Sequence, residues 1–187
     1  MAIAKTVKKK KKIWVPVHAP KNFNEALLGE TTTDDHKSLI GKTLTLNLSI
    51  FTNDMRKQNT ETSFKIISVV DDKAQTEFIG LSLTNSHVKR LVRRGKSKIE
   101  DSFVVKTKDG KDIRVKPIVI TNNVVNKSVS MAIRKQVKEK ITELVKKKSG
   151  AEFLDLVINQ GLQKDLKKEL GKIYPLRYAD IRVAKLL

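Results

Sequence analysis

Alternating apolar and polar residues predict a series of short strands in the middle of the chain. Every second residue from Leu44 to Ile50 is apolar and polar residues stand between them, which is the pattern of a half-buried strand. Similar stretches occur at 64–70, 76–83, 103–107 and 113–120. Several short antiparallel strands of this kind tend to close into a barrel or a sandwich, so we expect a barrel-like core.

Three short motifs predict where these strands turn or deform. Asp71-Asp72-Lys73 is expected to form a turn. Asp109-Gly110 lies between alternating runs and predicts a hairpin with a type I′ turn, because glycine readily takes a positive φ. Pro117 has no N–H to donate to a sheet, which favours a bulge or an edge position there. By contrast, residues 22–37 are rich in Asn, Thr and Asp and read as irregular.

Helical spacing predicts one helix among the strands and further helices after them. The first covers 84–95, with Thr84 as N-cap, Gly95 just after the end, and Leu83 and Val88 at the spacing of a hydrophobic staple. After residue 126, apolar stripes with helical spacing are interrupted at Ser149-Gly150, Gly161 and Gly171. Alternation at the end of the chain, with Ile181 and Val183 on either side of Arg182, predicts a short closing strand.

Together these patterns predict an α+β fold. We expect an antiparallel β-barrel-like core with one inserted helix, followed by accessory C-terminal helices and a short closing strand. The sequence divides into a basic extended arm at 1–21, a barrel-like core at 22–125 that includes the helix 84–95, and a segment at 126–187 in which the accessory helices and closing strand pack on the core.

The charge of the chain predicts a polyanionic partner. Its 187 residues contain 39 Lys and Arg against 20 Asp and Glu, a net charge of +19. The arm from Met1 to Lys21 has seven lysines and no acidic residue, so it cannot fold alone and is expected to lie on an anion. An excess of this size favours nucleic acid over a merely solubilising surface, because binding to phosphates releases counterions.

The stretch from Lys89 to Lys98 is the strongest candidate for phosphate contact. It holds six cations in ten residues and no acid, whereas a solvated helix face usually interleaves acids with cations. If the helix ran to Gly95, Arg90 and Arg94 would lie on one face, where their repulsion implies a compensating anion. In this stretch we expect RNA contacts from Lys89, Arg90, Arg93, Arg94, Lys96 and Lys98.

Two further regions are candidates for RNA contact. The lysine run of the arm and the basic residues of the helix after Ser130 complete the predicted RNA-binding set, which adds Lys8, Lys9, Lys10, Lys11, Lys12, Trp14, Arg134, Lys146, Lys147 and Lys148. Elsewhere on that helix, Glu139 and Glu143 are expected to pair with lysines as on an ordinary surface. For Trp14 two roles stay open, stacking on a base or pinning the arm onto the core.

The sequence contains no pattern that indicates catalysis, a metal or a cofactor. Its three histidines lie far apart and it has no cysteine, so we expect no metal site. Gly41-Lys42-Thr43 resembles the end of a phosphate-binding loop, but His36 occupies the position of the required first glycine. No apolar stretch approaches the length of a membrane span, and no apolar segment follows the arm as a signal peptide would require. We therefore expect no membrane partner and no small-molecule substrate.

Several segments taken together resemble a known protein family. From Lys10 to Pro20 the chain has a lysine run, then Trp14, a valine and Ala19-Pro20, with Phe23 shortly after. Further matches occur in the same order at Leu83-Thr84, Ile99-Glu100, Val105 to Thr107 with Asp109-Gly110, Ile173 to Leu176, and Ile181-Arg182. The chain is similar in these segments to the small-subunit ribosomal protein family of archaea and eukaryotes called eukaryotic-type S-one, older name S-three-A.

The resemblance implies a function as well as a fold. Members of that family are structural constituents of the small ribosomal subunit in the cytoplasm, bound to rRNA on the platform near the mRNA exit, with no catalytic activity. The expected partners are small-subunit rRNA and neighbouring small-subunit ribosomal proteins, and the resemblance leaves mRNA near the exit open as another. Because eukaryotic members continue past the position of Leu187, the archaeal form is expected. A free RNA- or DNA-binding or annealing protein outside the ribosome stays the alternative.

Overall fold

Strands dominate the chain up to Thr121 and helices dominate the remainder, which confirms the α+β prediction. The computed structural model describes residues 12–20, 23, 25–52 and 54–187. In order, the described elements are β1 Ile13–His18, β2 Leu27–Thr33, β3 Thr43–Asn47, α1 Ser49–Thr52, β4 Thr60–Val70, β5 Lys73–Leu83, α2 Asn85–Leu91, β6 Lys98–Glu100, β7 Phe103–Lys106, β8 Asp112–Thr121, α3 Lys127–Lys147, α4 Gly150–Ile158, α5 Gly161–Leu170 and β9 Leu176–Leu186. Short 3-10 helices are found at His36–Leu39 and Met55–Lys57.

The elements form two compact units. The first unit contains the described residues up to Leu44 together with Phe64–Phe78, and the second contains Thr45–Ser63 and Ile79–Leu187. The division of the sequence into arm, core and accessory segment stays a prediction.

In the first unit, two kinds of strand pairing surround an aromatic cluster. β1 pairs antiparallel with β2 along its whole length, and near its end it pairs parallel with β5 through Val17 and His18. The parallel pair differs from the purely antiparallel expectation. The rings of Phe23, Phe64 and Phe78 meet at centroid distances of 5.2 to 5.5 Å. Such edge-to-face and tilted contacts add to the burial of apolar area that stabilises this unit.

The second unit is organised around a sheet with the strand order β5-β9-β8-β6. β8 lies at its centre, since β9 pairs with one edge of β8 while β6 and β7 share the other. The register between β8 and β9 shifts between Lys116 and Pro117. Of the two expectations at Pro117, a bulge or an edge position, the bulge is confirmed, because a residue without an N–H fits a central strand only where the ladder is interrupted.

The three C-terminal helices also belong to the second unit, where α3 contacts β6 and β7 while α4 and α5 contact β9. α3 buries Ile133, Val137, Ile141 and Val145, which confirms the stripe expected from their spacing. The break at Ser149 is confirmed too. Its side chain accepts a hydrogen bond from the Glu152 N–H, and the Glu152 carboxylate accepts one from the Ser149 N–H, so a capping box begins α4.

The expected strand over 44–50 is wrong in its second half. β3 ends at Asn47, and Ile50 lies exposed on the short helix α1. The side chain of Asn47 redirects the chain: its carbonyl oxygen accepts from the Ser49 N–H, and its amide donates to the carbonyl of Gln58. A local side-chain bond of this kind competes with continuation of the ladder.

Two other expectations also differ from the structure. Residues 27–33, expected to be irregular, form β2, because the threonines at its end suit a strand once β1 offers a partner. The closing strand, expected to be short, is the 11-residue β9, which runs along most of β8.

The two predicted turns are present, and one has a different type. Asp71 and Asp72 both have positive φ between β4 and β5, as a two-residue hairpin loop requires. Gly110 has φ +76°, as expected, but Asp109 does not share the positive φ of a type I′ turn. The Gly110 N–H instead donates to the Thr107 carbonyl at 3.0 Å, as in a type I turn, and the glycine forms the bulge that comes after it.

Candidate nucleic-acid interface

The helix α2 is fixed to the sheet of the second unit by a small apolar cluster. Leu83 and Val88 are buried against Ile118 and Ile120 of β8, and Leu91 packs on the same cluster. The hydrophobic staple expected from the spacing of Leu83 and Val88 is thus confirmed. Because the apolar side of α2 faces β8, its cationic residues are left on the outside.

The helix ends earlier than the sequence indicates. It stops at Leu91, and Val92 has an extended backbone and a side chain that is 37% exposed. Continuing to Gly95 would have stacked Arg90 over Arg94 with no acid between them, and such a like-charge pair disfavours helix. The β-branched Val92 also has low helix propensity. The shared-face argument for Arg90 and Arg94 is therefore wrong, and the segment 93–97 is a loop.

This loop and the helix nevertheless place several cations together. Lys89, Arg90, Arg93 and Arg94 are exposed, and Lys96 is half-buried. Partial burial and the nearby positive charges of Arg177 and Arg93 lower the pKa of Lys96. Arg177, on β9, is thus close to the loop although it is distant in sequence. We call the set Lys89, Arg90, Arg93, Arg94, Lys96 and Arg177 the basic cluster.

Most of the basic cluster has no acidic partner. Within the part of the chain that the structure describes, neither Lys89 nor Arg93 nor Arg94 forms an ion pair or a side-chain hydrogen bond. Arg90 donates a hydrogen bond at 3.2 Å to the side-chain oxygen of Asn59, which holds the guanidinium without neutralising it. Neighbouring cations repel one another, so a bound anion would be favourable at this surface.

Lys98 has a different environment from the rest of its sequence stretch. Its ammonium lies 3.0 Å from the carboxylate of Glu100, which also pairs at 3.3 Å with Arg182. Arg182 in turn donates to Asn85 at the start of α2. The sequence stretch is free of acids, but the fold brings Glu100 to Lys98. We therefore leave Lys98 out of the basic cluster.

In the first unit, the described part of the predicted arm presents an exposed tryptophan. Lys8, Lys9, Lys10 and Lys11 lie outside the described residues, and Lys12 is exposed. Trp14 pairs with Thr32 in the β1–β2 ladder, yet its side chain is 65% exposed. Its indole is therefore not buried in the core of this unit and is accessible for stacking.

The remaining candidates lie on α3 and at its end. Arg134, Lys146 and Lys147 are exposed and Lys148 is half-buried. The carbonyl of Lys148 accepts a hydrogen bond from the Lys108 N–H of the β7–β8 turn, so the backbone of the lysine run is fixed in place.

In the middle of α3 a lysine is paired, but with an acid of another helix and not with Glu139 or Glu143. Lys140 pairs with Glu169 of α5 at 3.0 Å, and its hydrogen bond to that carboxylate is the main reason that its pKa is raised. This pair joins two helices, whereas the sequence suggested pairs along α3 itself.

A metal site and a membrane span are two other kinds of site, and each requires a particular arrangement of residues. Among them, no group of three or more His, Asp or Glu side chains is arranged to hold a metal ion. None of the helices in the described ranges is both long enough and apolar enough to cross a bilayer.

Sequence reasoning missed Arg177 and could not have placed it at this surface. Arg177 precedes Tyr178, whose neighbour in the adjoining strand is Ile120, and Ile120 in turn pairs with Lys98. Only this three-strand register brings the start of β9 to the loop after α2. A lone arginine in an alternating stretch carries no such signal.

Comparison with known proteins gives a consistent match over nearly the whole chain. A family model described as the Ribosomal S3Ae family matches residues 3–187. A protein named small ribosomal subunit protein eS1 from Nanoarchaeum equitans is 38% identical over 92% of this chain and 87% of its own length. Proteins of the same name from Archaeoglobus fulgidus and Halorubrum lacusprofundi are 36% and 35% identical, over 94% and 93% of this chain and 84% and 81% of their own lengths.

Proposed function

The chain belongs to the Ribosomal S3Ae family, and we propose that it binds small-subunit rRNA through its basic cluster, its N-terminal lysines and Trp14. The family assignment makes it a structural constituent of the small ribosomal subunit, not an enzyme, and gives it the cytoplasmic location of ribosomes. As a finer proposal, it lies on the platform near the mRNA exit. Neighbouring small-subunit proteins are then its protein partners, and mRNA near the exit is a further candidate partner.

The observation that carries the proposal is the basic cluster itself. Exposed arginines that lack an acidic partner, held on a helix and loop that are packed against a sheet, match the geometry of phosphate contact. Arginine is suited to this role, since its planar guanidinium can donate two parallel hydrogen bonds to one phosphate. Each neutralised phosphate releases counterions, so the affinity is expected to depend strongly on salt.

Phosphate contact of this kind fixes position without reading sequence. The basic cluster should therefore bind RNAs of equal shape about equally well, whatever their sequence. Trp14 would contact a base instead of a phosphate, but an exposed indole can stack on an unpaired base of any type, so this contact is not expected to read sequence either.

The test is a triple substitution of Arg90, Arg93 and Arg94 by Ala in the full chain. Binding to small-subunit rRNA is measured by fluorescence anisotropy over a range of salt concentrations. If each arginine neutralises one phosphate, the slope of log affinity against log salt should become shallower by about 2 to 3. The fold should survive, because exposed substitutions usually change stability by only about 0.5 kcal/mol each.

A matched control separates this site from net charge. Replacing Lys135, Lys138 and Lys140 by Ala removes the same three charges from α3, where acids interleave with the cations and Lys140 is paired. The control should change the slope much less. An equal effect of both triple variants would show that the affinity follows net charge and would contradict a dedicated site.

A further inference from the structure

A cavity of about 330 Å³ lies in the second unit between α2, the start of α5 and β9. Its lining includes His87 of α2, Gln163 and Lys164 of α5, and Tyr178 and Asp180 of β9. The volume falls at the lower end of the range typical of small-ligand pockets, about 300 to 1,000 Å³. The function proposed above makes no use of this cavity.

The polar groups in the lining leave hydrogen-bond acceptors unused. The Tyr178 hydroxyl donates to the Asp180 carboxylate at 2.6 Å, and burial together with that carboxylate raises the pKa of Tyr178, so the phenol stays protonated. The side-chain amide of Gln163 donates both of its hydrogens, one to the Val157 carbonyl at 2.9 Å and one to the Asp180 carboxylate at 3.1 Å. Its side-chain oxygen is buried and has no hydrogen-bond partner among the described residues.

These groups define the hydrogen-bond pattern that a ligand must have. A carboxylate is purely an acceptor with about four acceptor positions, and Asp180 already receives hydrogen bonds from Tyr178, Gln163 and the Ile181 N–H, so one position remains, on the oxygen that Tyr178 contacts. Together with the buried side-chain oxygen of Gln163, this leaves two acceptors, and their best complement is a ligand edge with two adjacent donors. Among the RNA bases, only guanine presents two neighbouring donors on its Watson–Crick edge. Uracil presents a single donor between two carbonyls, which the carboxylate would repel.

The rest of the lining fits the other parts of a nucleotide. The rings of His87 and Tyr178 lie in edge-to-face contact with centroids 6.1 Å apart, and an aromatic face is the usual platform for an unstacked base. Lys164 and Lys167 are exposed residues one turn apart on α5, where they would meet a phosphate. Asn59, also in the lining, holds the guanidinium of Arg90 from the basic cluster.

We propose that this cavity binds one unpaired guanine nucleotide, with the base edge on Asp180 and Gln163 and the phosphate on Lys164 and Lys167. The proposal rests on the RNA-binding function proposed above and adds a base-selective contact to it. It would fix the register of a single-stranded segment that the basic cluster holds only by its phosphates.

The test uses free nucleotides and the full chain, so that it does not depend on rRNA binding. Guanosine, adenosine, cytidine and uridine monophosphates are titrated, and shifts in backbone amide NMR signals are followed around His87, Gln163 and Tyr178. We expect the guanine nucleotide to bind at least about fivefold more tightly than the uracil nucleotide, the lower end of discrimination by a good bidentate pair. Inosine monophosphate, which lacks the 2-amino group, should lose most of this preference.

Asp180→Asn keeps the shape of the side chain and replaces one acceptor by a donor, so it should abolish the preference for guanine. Asp165→Asn is the matched control, because it makes the same charge change on α5 at a residue that lines a different cavity. Equal binding of the guanine, inosine and uracil nucleotides to the unaltered chain would overturn the proposal without any variant.

The two proposals fail differently. If rRNA binding keeps its steep salt dependence while the nucleotides show no ranking, the cavity proposal is wrong and the phosphate-binding function stands. If the nucleotides rank as expected but the arginine triple variant binds rRNA normally, the cavity stands and the basic cluster does not.

Discussion

Replacing Gly80 by alanine is expected to destabilise the fold strongly, because the backbone of β9 passes directly over Gly80. Gly80 of β5 pairs with Lys185 of β9, and the neighbouring pair is Leu81 with Ala184. A methyl group at Gly80 would overlap the carbonyl oxygen of Ala184 and lie 2.7 Å from the Cα of Lys185. Both obstacles are backbone atoms, so no side-chain rotation relieves them.

The size of the effect depends on which atoms must move. β9 would have to shift away from β5 by several tenths of an ångström at least, which strains the pairing of Gly80, Leu81 and Ser82 with β9. Overpacking in a well-packed region costs about 1 to 3 kcal/mol. Because backbone obstructs the methyl group here, we expect Gly80→Ala to cost about 3 kcal/mol. For a chain of this length that lowers Tm by about 6 to 12 °C.

The assay is thermal and urea unfolding followed by circular dichroism. Gly161→Ala provides a matched control, since a methyl group at Gly161 would meet only the Leu156 side chain at an ordinary 3.9 Å and the Leu156 carbonyl at 4.0 Å. Gly161 is the first residue of α5 and its φ is not positive, so alanine should be neutral or stabilising by up to about 1 kcal/mol.

The reasoning fails if Gly80→Ala unfolds at the same temperature as the unaltered chain. That result would mean that β5 and β9 do not approach as closely as the register of Gly80 with Lys185 requires.

Two further outcomes are expected from local chemistry. Ser149→Ala removes the oxygen that accepts a hydrogen bond from the Glu152 N–H. The free energy of unfolding, measured by urea denaturation, should therefore fall by about 1 kcal/mol. An unchanged midpoint would argue against the capping box. Burial and the charge of Arg90, opposed by Asp180, lower the pKa of His87 below its ordinary value of 6.5. The native state then binds fewer protons than the unfolded state, so stability should fall as the pH drops from about 6.5 towards the native pKa. His87→Gln should reduce the pH dependence of the free energy of unfolding across that window. An unaltered pH profile would count against the lowered pKa of His87.

Periodicity predicted the helices after residue 126 well, because it coincides there with clear boundaries. The buried stripe of α3 and the cap at Ser149 are both local, so the sequence alone identifies them. Local signals also located Gly110 in its turn. They did not reveal the distant contact at this turn, where the carboxylate of Asp109 accepts a hydrogen bond from the Gly150 N–H at the start of α4.

Pairing between distant strands accounts for most of the fold that the sequence did not predict. β2 has no alternating pattern of its own and is a strand because β1 pairs with it. The parallel contact of β1 with β5 joins residues more than fifty positions apart, which no periodicity encodes. The length of β9 likewise depends on its pairing along β8.

In the candidate site too, some residues are visible in the sequence and others are brought in only by strand pairing. The acid-free stretch from Lys89 to Lys96 is visible in the sequence because its cations are close neighbours along the chain. Arg177 joins them only through the register of β9, and Glu100 reaches Lys98 through the fold of β6. The cavity beside Asp180 needs α2, α5 and β9 together, so it could not be predicted from the sequence.

Sedimentation with ribosomal particles tests the central claim most directly. The full chain is mixed with small subunits that lack this protein and, separately, with large subunits, in a buffer of moderate salt and high magnesium, and each mixture is run on a sucrose gradient. A structural constituent of the small subunit should move with the small subunit in an approximately equimolar amount and stay away from the large one. If the chain stays at the top of the gradient, or follows both subunits in proportion to their RNA, the ribosomal role is contradicted and a free nucleic-acid-binding protein is indicated instead.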